Sequence, residues 1–116
     1  MAFAKHDQFN SIHQITSQIC RVFNHPARIK IISHLVKNGR TPYHDLARVI
    51  PLAHPTISQH LKVLREIDLI LVEEKVPKTY YEINHVTCQQ YLQFLKTLVF
   101  ELEEDLNPST PASPEF

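Results

Sequence analysis

The run from Leu52 to Ile70, LAHPTISQHLKVLREIDLI, restricts the fold more than any other part of the chain. Ile57, Leu61 and Leu64 recur at helical spacing and predict one buried helix face. Thr56, Ser58, Gln59, Lys62 and Arg65 fall between them and are left for the opposite side, with no acid before Glu66. Hydroxyls, an amide and two cations can hydrogen-bond base edges and neutralise phosphates in a DNA major groove. The same pattern also describes an ordinary amphipathic surface helix, whose exposed face is polar by default.

The flanking segments favour the first reading. Thr41 suits an N-cap and Pro42 the first helical position, where a missing N–H costs nothing. Leu46, Val49 and Ile50 give that short helix an apolar side, Pro51-Leu52-Ala53 breaks it, and Pro55 stands where the next helix starts. Two short helices joined by a tight turn, the second polar and basic outside, form a helix-turn-helix pattern. Leu69–Val72 and Thr79–Ile83 are β-prone runs around a charged loop, 73–78, and predict a hairpin placed as a wing.

Phe9, Ile12, Ile15, Ile19, Val22 and Phe23 mark a first helix. Asn24-His25-Pro26 ends it and opens a second, with Ile29, Ile31, Ile32, Leu35 and Val36 as core and Gly39 as its left-handed cap. Asn84 predicts the N-cap of a final helix in which Leu92, Leu95, Val99, Leu102 and Leu106 alternate spacings of three and four. Phe94, Leu98 and Phe100 add apolar surface beside that seam, more than one helix of a small domain buries alone, so a partner is expected. The expected fold is mainly α with a small β-hairpin: four helices, the hairpin, then a fifth helix, as a winged helix-turn-helix. The expected organisation is a flexible N-terminus at 1–8, one domain at 9–106 and a proline-rich disordered tail at 107–116.

With 116 residues and 43% hydrophobic content the chain suits one small globular domain. No apolar run is long enough to span a membrane and the N-terminus carries no secretory pattern, so a cytoplasmic location is expected, with Cys20 and Cys88 as thiols. A single glycine, Gly39, excludes Gly-rich phosphate loops. The formal net charge is zero, yet it is split: residues 1–65 hold nine Lys/Arg against two acids, and residues 66–116 three Lys against ten acids. A basic half bearing the helix-turn-helix can still attract phosphate, although the acidic half weakens long-range steering.

HPARIKIISHL at 25–35, PTISQHLKVLR at 55–65 and Tyr80-Tyr81-Glu82-Ile83 resemble, in this order, the ArsR/SmtB family of bacterial winged-helix regulators, over residues 12 to 105. The resemblance implies a homodimeric transcriptional repressor that leaves DNA when an effector binds. It also implies an interface between the first and last helices, here Ile12, Ile15 and Ile19 with Leu92, Leu95, Val99 and Leu102. A two-fold dimer sets two recognition helices in successive major grooves, about 34 Å apart, on an inverted repeat of double-stranded DNA.

Ser58, Gln59 and Lys62 are then the candidates for base or groove contact, and Thr41, Thr56 and Arg65 for phosphates. Lys75, Lys78 and Thr79 lie on the wing. His54, where the family often has glutamine before the proline, either touches DNA or caps the helix; His60 reads as a packed structural histidine.

Metal sensing is the family's best-known task, but its ligand patterns are missing. The position of its Cys-x-Cys pair reads Pro42-Tyr43-His44, its Asp-x-His reads Ile83-Asn84-His85, and the later pair reads Lys96 and Val99. These leave too few donors for a soft divalent ion, so no metal site and no cofactor are expected. Because the first and last helices pack together in the family, Cys20 and Cys88 form a candidate redox pair, against the plainer reading of inert buried thiols. A small effector, or none, stays equally open. No nucleophile–base constellation supports an enzyme. The alternative function is a winged helix used for protein–protein contact without sequence-specific DNA binding.

Overall fold

The computed structural model describes residues 11–108. Phe9 and the segments 1–8 and 109–116 lie outside the described residues. Helix α1 is Ser11–Val22, α2 Pro26–Asn38, strand β1 Thr41–Pro42, α3 Tyr43–Val49, α4 His54–Glu66, β2 Ile70–Lys75, β3 Lys78–Ile83 and α5 His85–Leu106. The expected order of five helices and a hairpin holds, with one addition. Thr41-Pro42 pairs antiparallel with β3, Thr41 opposite Tyr81 and Pro42 opposite Tyr80, giving a three-stranded sheet in the order β1-β3-β2.

That pairing corrects the reading of Thr41. It is no N-cap: α3 starts at Tyr43 behind an extended Pro42, and the buried Thr41 hydroxyl donates to the Gly39 carbonyl at 2.8 Å. The hairpin is also tighter than expected. Glu73, Glu74 and Lys75 belong to β2, and only Val76-Pro77 turns the chain.

The core is assembled by α2, α3, α4 and the sheet. Ile31, Leu35, Leu46, Ile57, Leu64, Leu69 and Ile70 are sealed from solvent, and Leu61 and Ile83 are buried against them. The apolar set expected in α2 divides: Ile31, Ile32 and Leu35 point inward while Ile29 and Val36 stay on the surface. Seven residues apart, Ile29 and Val36 share one side of the helix, beside the stripe that Ile31, Ile32 and Leu35 bury.

Helix ends follow local chemistry. Gly39 takes φ 77°, a backbone that side chains disfavour, and its N–H bonds the Leu35 carbonyl at 2.9 Å. Asn84 caps α5 by accepting from the Thr87 N–H at 3.4 Å. The recognition helix closes in a Schellman turn. Leu69 N–H bonds Leu64 C=O and Asp68 N–H bonds Arg65 C=O, each at 3.0 Å, with Asp68 at φ 61°. The accompanying apolar contact joins Leu64 and Leu69, both fully buried, so the turn that ends α4 also locks it to the core and launches β2.

Helix α1 lies against α5 outside this core. Ile19 and Thr16 are buried between them, and Thr16 donates its hydroxyl to the Ile12 carbonyl at 2.8 Å. Ile19, assigned above to a dimer surface, is therefore an internal contact of the single chain. Ile12, Ile15, Leu92, Val99, Phe100, Leu102 and Leu106 remain exposed.

Candidate nucleic-acid interface

Because Ile57, Leu61 and Leu64 hold α4 to the core, the helix rotation is fixed and the opposite side must face solvent. Ser58, Gln59, Lys62 and Arg65 are all exposed there, as the spacing requires. Of these four, Gln59 and Lys62 stand farthest from the buried stripe, and the exposed Glu66 at the helix end shares their side. Ser58 falls on the flank next to the wing, and Thr56, also exposed, on the other flank, turned toward α2.

The wing flank is concave. A cleft of about 460 Å³ is bounded by Tyr43 and His44 of α3, His54 and Ser58 of α4, and Lys78 and Thr79 of β3. His54 does not cap its helix; Ala53 holds that position. Its Nδ1 lies 2.8 Å from the Tyr43 hydroxyl, and the Tyr43 ring also meets that of Tyr81, 6.4 Å between centroids. Tyr43 was not among the expected site residues. Its position, first in a helix that begins two residues after Thr41, becomes meaningful only once β1 is recognised as a strand.

Lys75 and Lys78 face each other directly across the last register pair of the hairpin, both exposed. Like charges opposed across two strands oppose folding. Kept at a protruding tip, they suit a partner carrying negative charge. Farther down the wing, Arg40 stacks over the Tyr80 ring, 4.3 Å from its centroid, and its guanidinium pairs with Glu73, so β2 and β3 are braced from the end of α2. The acid nearest α3 is similarly neutralised: Asp45 lies 3.2 Å from Arg48 and 3.0 Å from His44.

His60 is half-buried on the inner flank of α4 and behaves as the packed histidine expected. Arg28 Nε donates to its Nδ1 at 3.2 Å, which assigns the neutral ring proton to Nε2. Burial, then the Arg28 charge, then His25 hold its pKa below the ordinary value. Thr41, assigned above to phosphate, is 5% exposed and lies beneath the surface.

The candidate redox pair is not joined. Both cysteines are free, Cys20 exposed on α1 and Cys88 buried in the core. Burial pushes the Cys88 thiol up, which leaves less thiolate for exchange. Among the described residues no group of three or more His, Cys, Asp or Glu is placed to hold a metal ion. No helix there is long and apolar enough to cross a membrane.

A helix pinned by its apolar face with polar and basic groups outside, preceded by a short helix and followed by a lysine-tipped hairpin, defines a winged helix-turn-helix DNA-binding protein. Residues 23–73 match the family model described as "Helix-turn-helix domain". The transcriptional repressor SdpR of Bacillus subtilis is 26% identical over 90 residues, covering 78% of this chain and 99% of that protein. The arsenical resistance operon repressor of the same organism is 33% identical over 57 residues, 49% of this chain and 54% of that one. A solved ArsR family transcriptional regulator superposes with a TM-score of 0.67 over 84% of this chain and 95% of that chain; at 16% identity it speaks for the fold alone. Residues 23–73 thus form a helix-turn-helix domain, and the chain is similar in sequence to named transcriptional repressors and in fold to an ArsR family regulator.

Proposed function

We propose that this protein is a transcriptional repressor that binds an inverted-repeat operator as a homodimer, in the cytoplasm. The observation that carries the reading is the outer face of α4, where Ser58, Gln59, Lys62 and Arg65 are exposed with no acid among them. Gln59 and Lys62 read base edges, Ser58 and His54 work along the wing side of the groove, and Arg65, Lys75, Lys78 and Thr79 hold phosphates. Thr56 takes a phosphate at the helix's other edge. Repression is supported by the names of the relatives, SdpR and the arsenical resistance operon repressor.

The dimer is supported by the apolar side chains that the fold leaves uncovered on α1 and α5: Ile12 and Ile15 on one, Leu92, Val99 and Leu102 on the other, with Leu95 partly covered beside them. A second copy buries them isologously and sets two recognition helices on one side of the duplex.

The deciding experiment selects genomic fragments bound by the purified protein and measures affinity against salt concentration. A palindromic site, bound by a dimer with affinity falling steeply as salt rises, is expected, since phosphate contacts release counterions. Fragments without a common sequence, or binding indifferent to salt, would refute the reading and leave a winged helix that contacts proteins.

A further inference from the structure

Opposite the wing, α4 borders a second cleft, of about 360 Å³, between its first turns, the start of α2 and the turn that precedes α4. This is within the range of small-molecule sites, roughly 300–1,000 Å³. Its floor is apolar: Pro26 and Ala27 from α2, Pro51 and Leu52 from the turn. Its polar groups converge from two helices. Lys30 and His25 come from the α2 side, Thr56 and His60 from α4, and among the described residues no carboxylate lines it. The His25 and His60 rings meet at 5.1 Å between centroids. Arg28, bonded to His60 Nδ1, adds a fixed positive charge behind them and leaves the His60 Nε2–H as the ring's remaining donor. An apolar floor below a cationic, donor-rich rim matches a flat organic anion.

We infer that the cleft between α2 and α4 binds a small aromatic carboxylate, whose ring lies on Pro26, Ala27, Pro51 and Leu52 while its carboxylate meets Lys30, His25 and the Thr56 hydroxyl. This rests on the repressor reading for its consequence. Thr56 cannot serve a ligand carboxylate and a DNA phosphate together, and Pro51 and Leu52 belong to the turn that orients α4. Occupancy therefore weakens operator binding, and the operator weakens ligand binding by the same factor. None of the cleft residues lies on α1 or α5, so dimer formation through those helices leaves it open.

The test uses the full chain, first without DNA. 2-Naphthoate is titrated against the isotope-labelled protein and compared with 2-naphthylmethylammonium, which has the same ring and the opposite charge. Saturable amide shifts centred on Ala27, Lys30, Leu52 and Thr56 are expected, with the ammonium compound weaker by about tenfold or more. Lys30→Met should lose about fivefold or more in affinity for naphthoate, and Leu52→Trp, at a side chain 43% exposed, should fill the floor and abolish binding, its amide spectrum checked for an intact fold. Shifts that never saturate, that centre elsewhere, or that are equal for the two charges would overturn the site.

In the second arm, saturating naphthoate should weaken binding to the selected operator by about fivefold or more in the unmodified protein and not in Leu52→Trp. Saturable binding in the cleft with unchanged operator affinity would overturn the coupling. Naphthoate binding by a protein that retains no DNA fragment would support the site and overturn the repressor reading instead, so the two failures are distinguishable.

Discussion

Leu64 in α4 and Leu102 in α5 are the same residue in the same kind of helix, yet the first is 0% exposed and the second 53%. The difference separates two regions. From α2 to β3 the chain folds around itself: each amphipathic element turns an apolar side to the same interior, and the apolar side chains left outside, such as Ile29, Val36 and Leu71, are scattered among polar and charged ones. In α1 and α5 only Thr16, Ile19, Val22 and Cys88 reach full burial, and a row of isoleucine, leucine, valine and phenylalanine side chains stays in water. One region buries its core within a single chain; the other leaves the apolar row on which the proposed dimer rests. The surfaces proposed for DNA and for a second copy are thus held by different sets of contacts.

The largest effect should come from within the self-sufficient region. Leu64→Ala removes a sealed side chain shared by the helix and its Schellman turn, and should lower unfolding free energy by about 2–5 kcal/mol, measured by denaturant titration. A loss no larger than that of a surface substitution would break the distinction at its stronger end. Next, Val99→Glu with Leu102→Glu should yield a folded single chain in sedimentation equilibrium, with a near-unchanged helical spectrum and operator affinity lowered by about a hundredfold or more, because two half-sites are no longer joined. Persistence of the dimer would show that these exposed residues are not the contact.

Gln59→Ala should come third. It leaves fold and dimer intact and weakens the cognate operator by about 1–3 kcal/mol relative to unrelated DNA, seen in electrophoretic shifts with both competitors. Equal loss on both would mean that Gln59 positions and does not specify. The smallest effect concerns acid. The folded state lowers the pKa of His60, so the unfolded chain takes up that proton more readily. This contribution to stability is intact above the ordinary value of 6.5 and declines as pH falls from there through the lowered folded value. A melting series should show it, and His60→Gln, which retains an acceptor for Arg28, should flatten that slope. An unchanged slope would place the acid sensitivity elsewhere.

The self-sufficient region was also the more legible in sequence. Period-3.6 apolar residues identify a helix face when one core receives them, as with Ile57, Leu61 and Leu64. Gly39 and Asn84 were readable because caps depend on one residue's own chemistry. Strand β1 was not: two residues show no alternation, and Thr41-Pro42 becomes a strand only because β3 arrives beside it. The rotation of α1 was missed for a similar reason, since Ile19 faces α5, whose approach no local pattern specifies. The α2–α4 cleft gathers residues from three separate segments, none unusual alone, and a linear pattern carries no sign of such a meeting.

A hydrogen bond ties the last helix to the foot of the recognition helix. The Tyr91 hydroxyl on α5 donates to the Ile67 carbonyl, the residue that caps the recognition helix, at 2.9 Å. It acts as a strut between the shaft proposed to meet a second copy and the foot of the probe proposed to enter the groove. In the proposed dimer, a twist of one protomer against the other would therefore tug on the probe itself, linking the spacing of the half-sites to the tightness of the pairing.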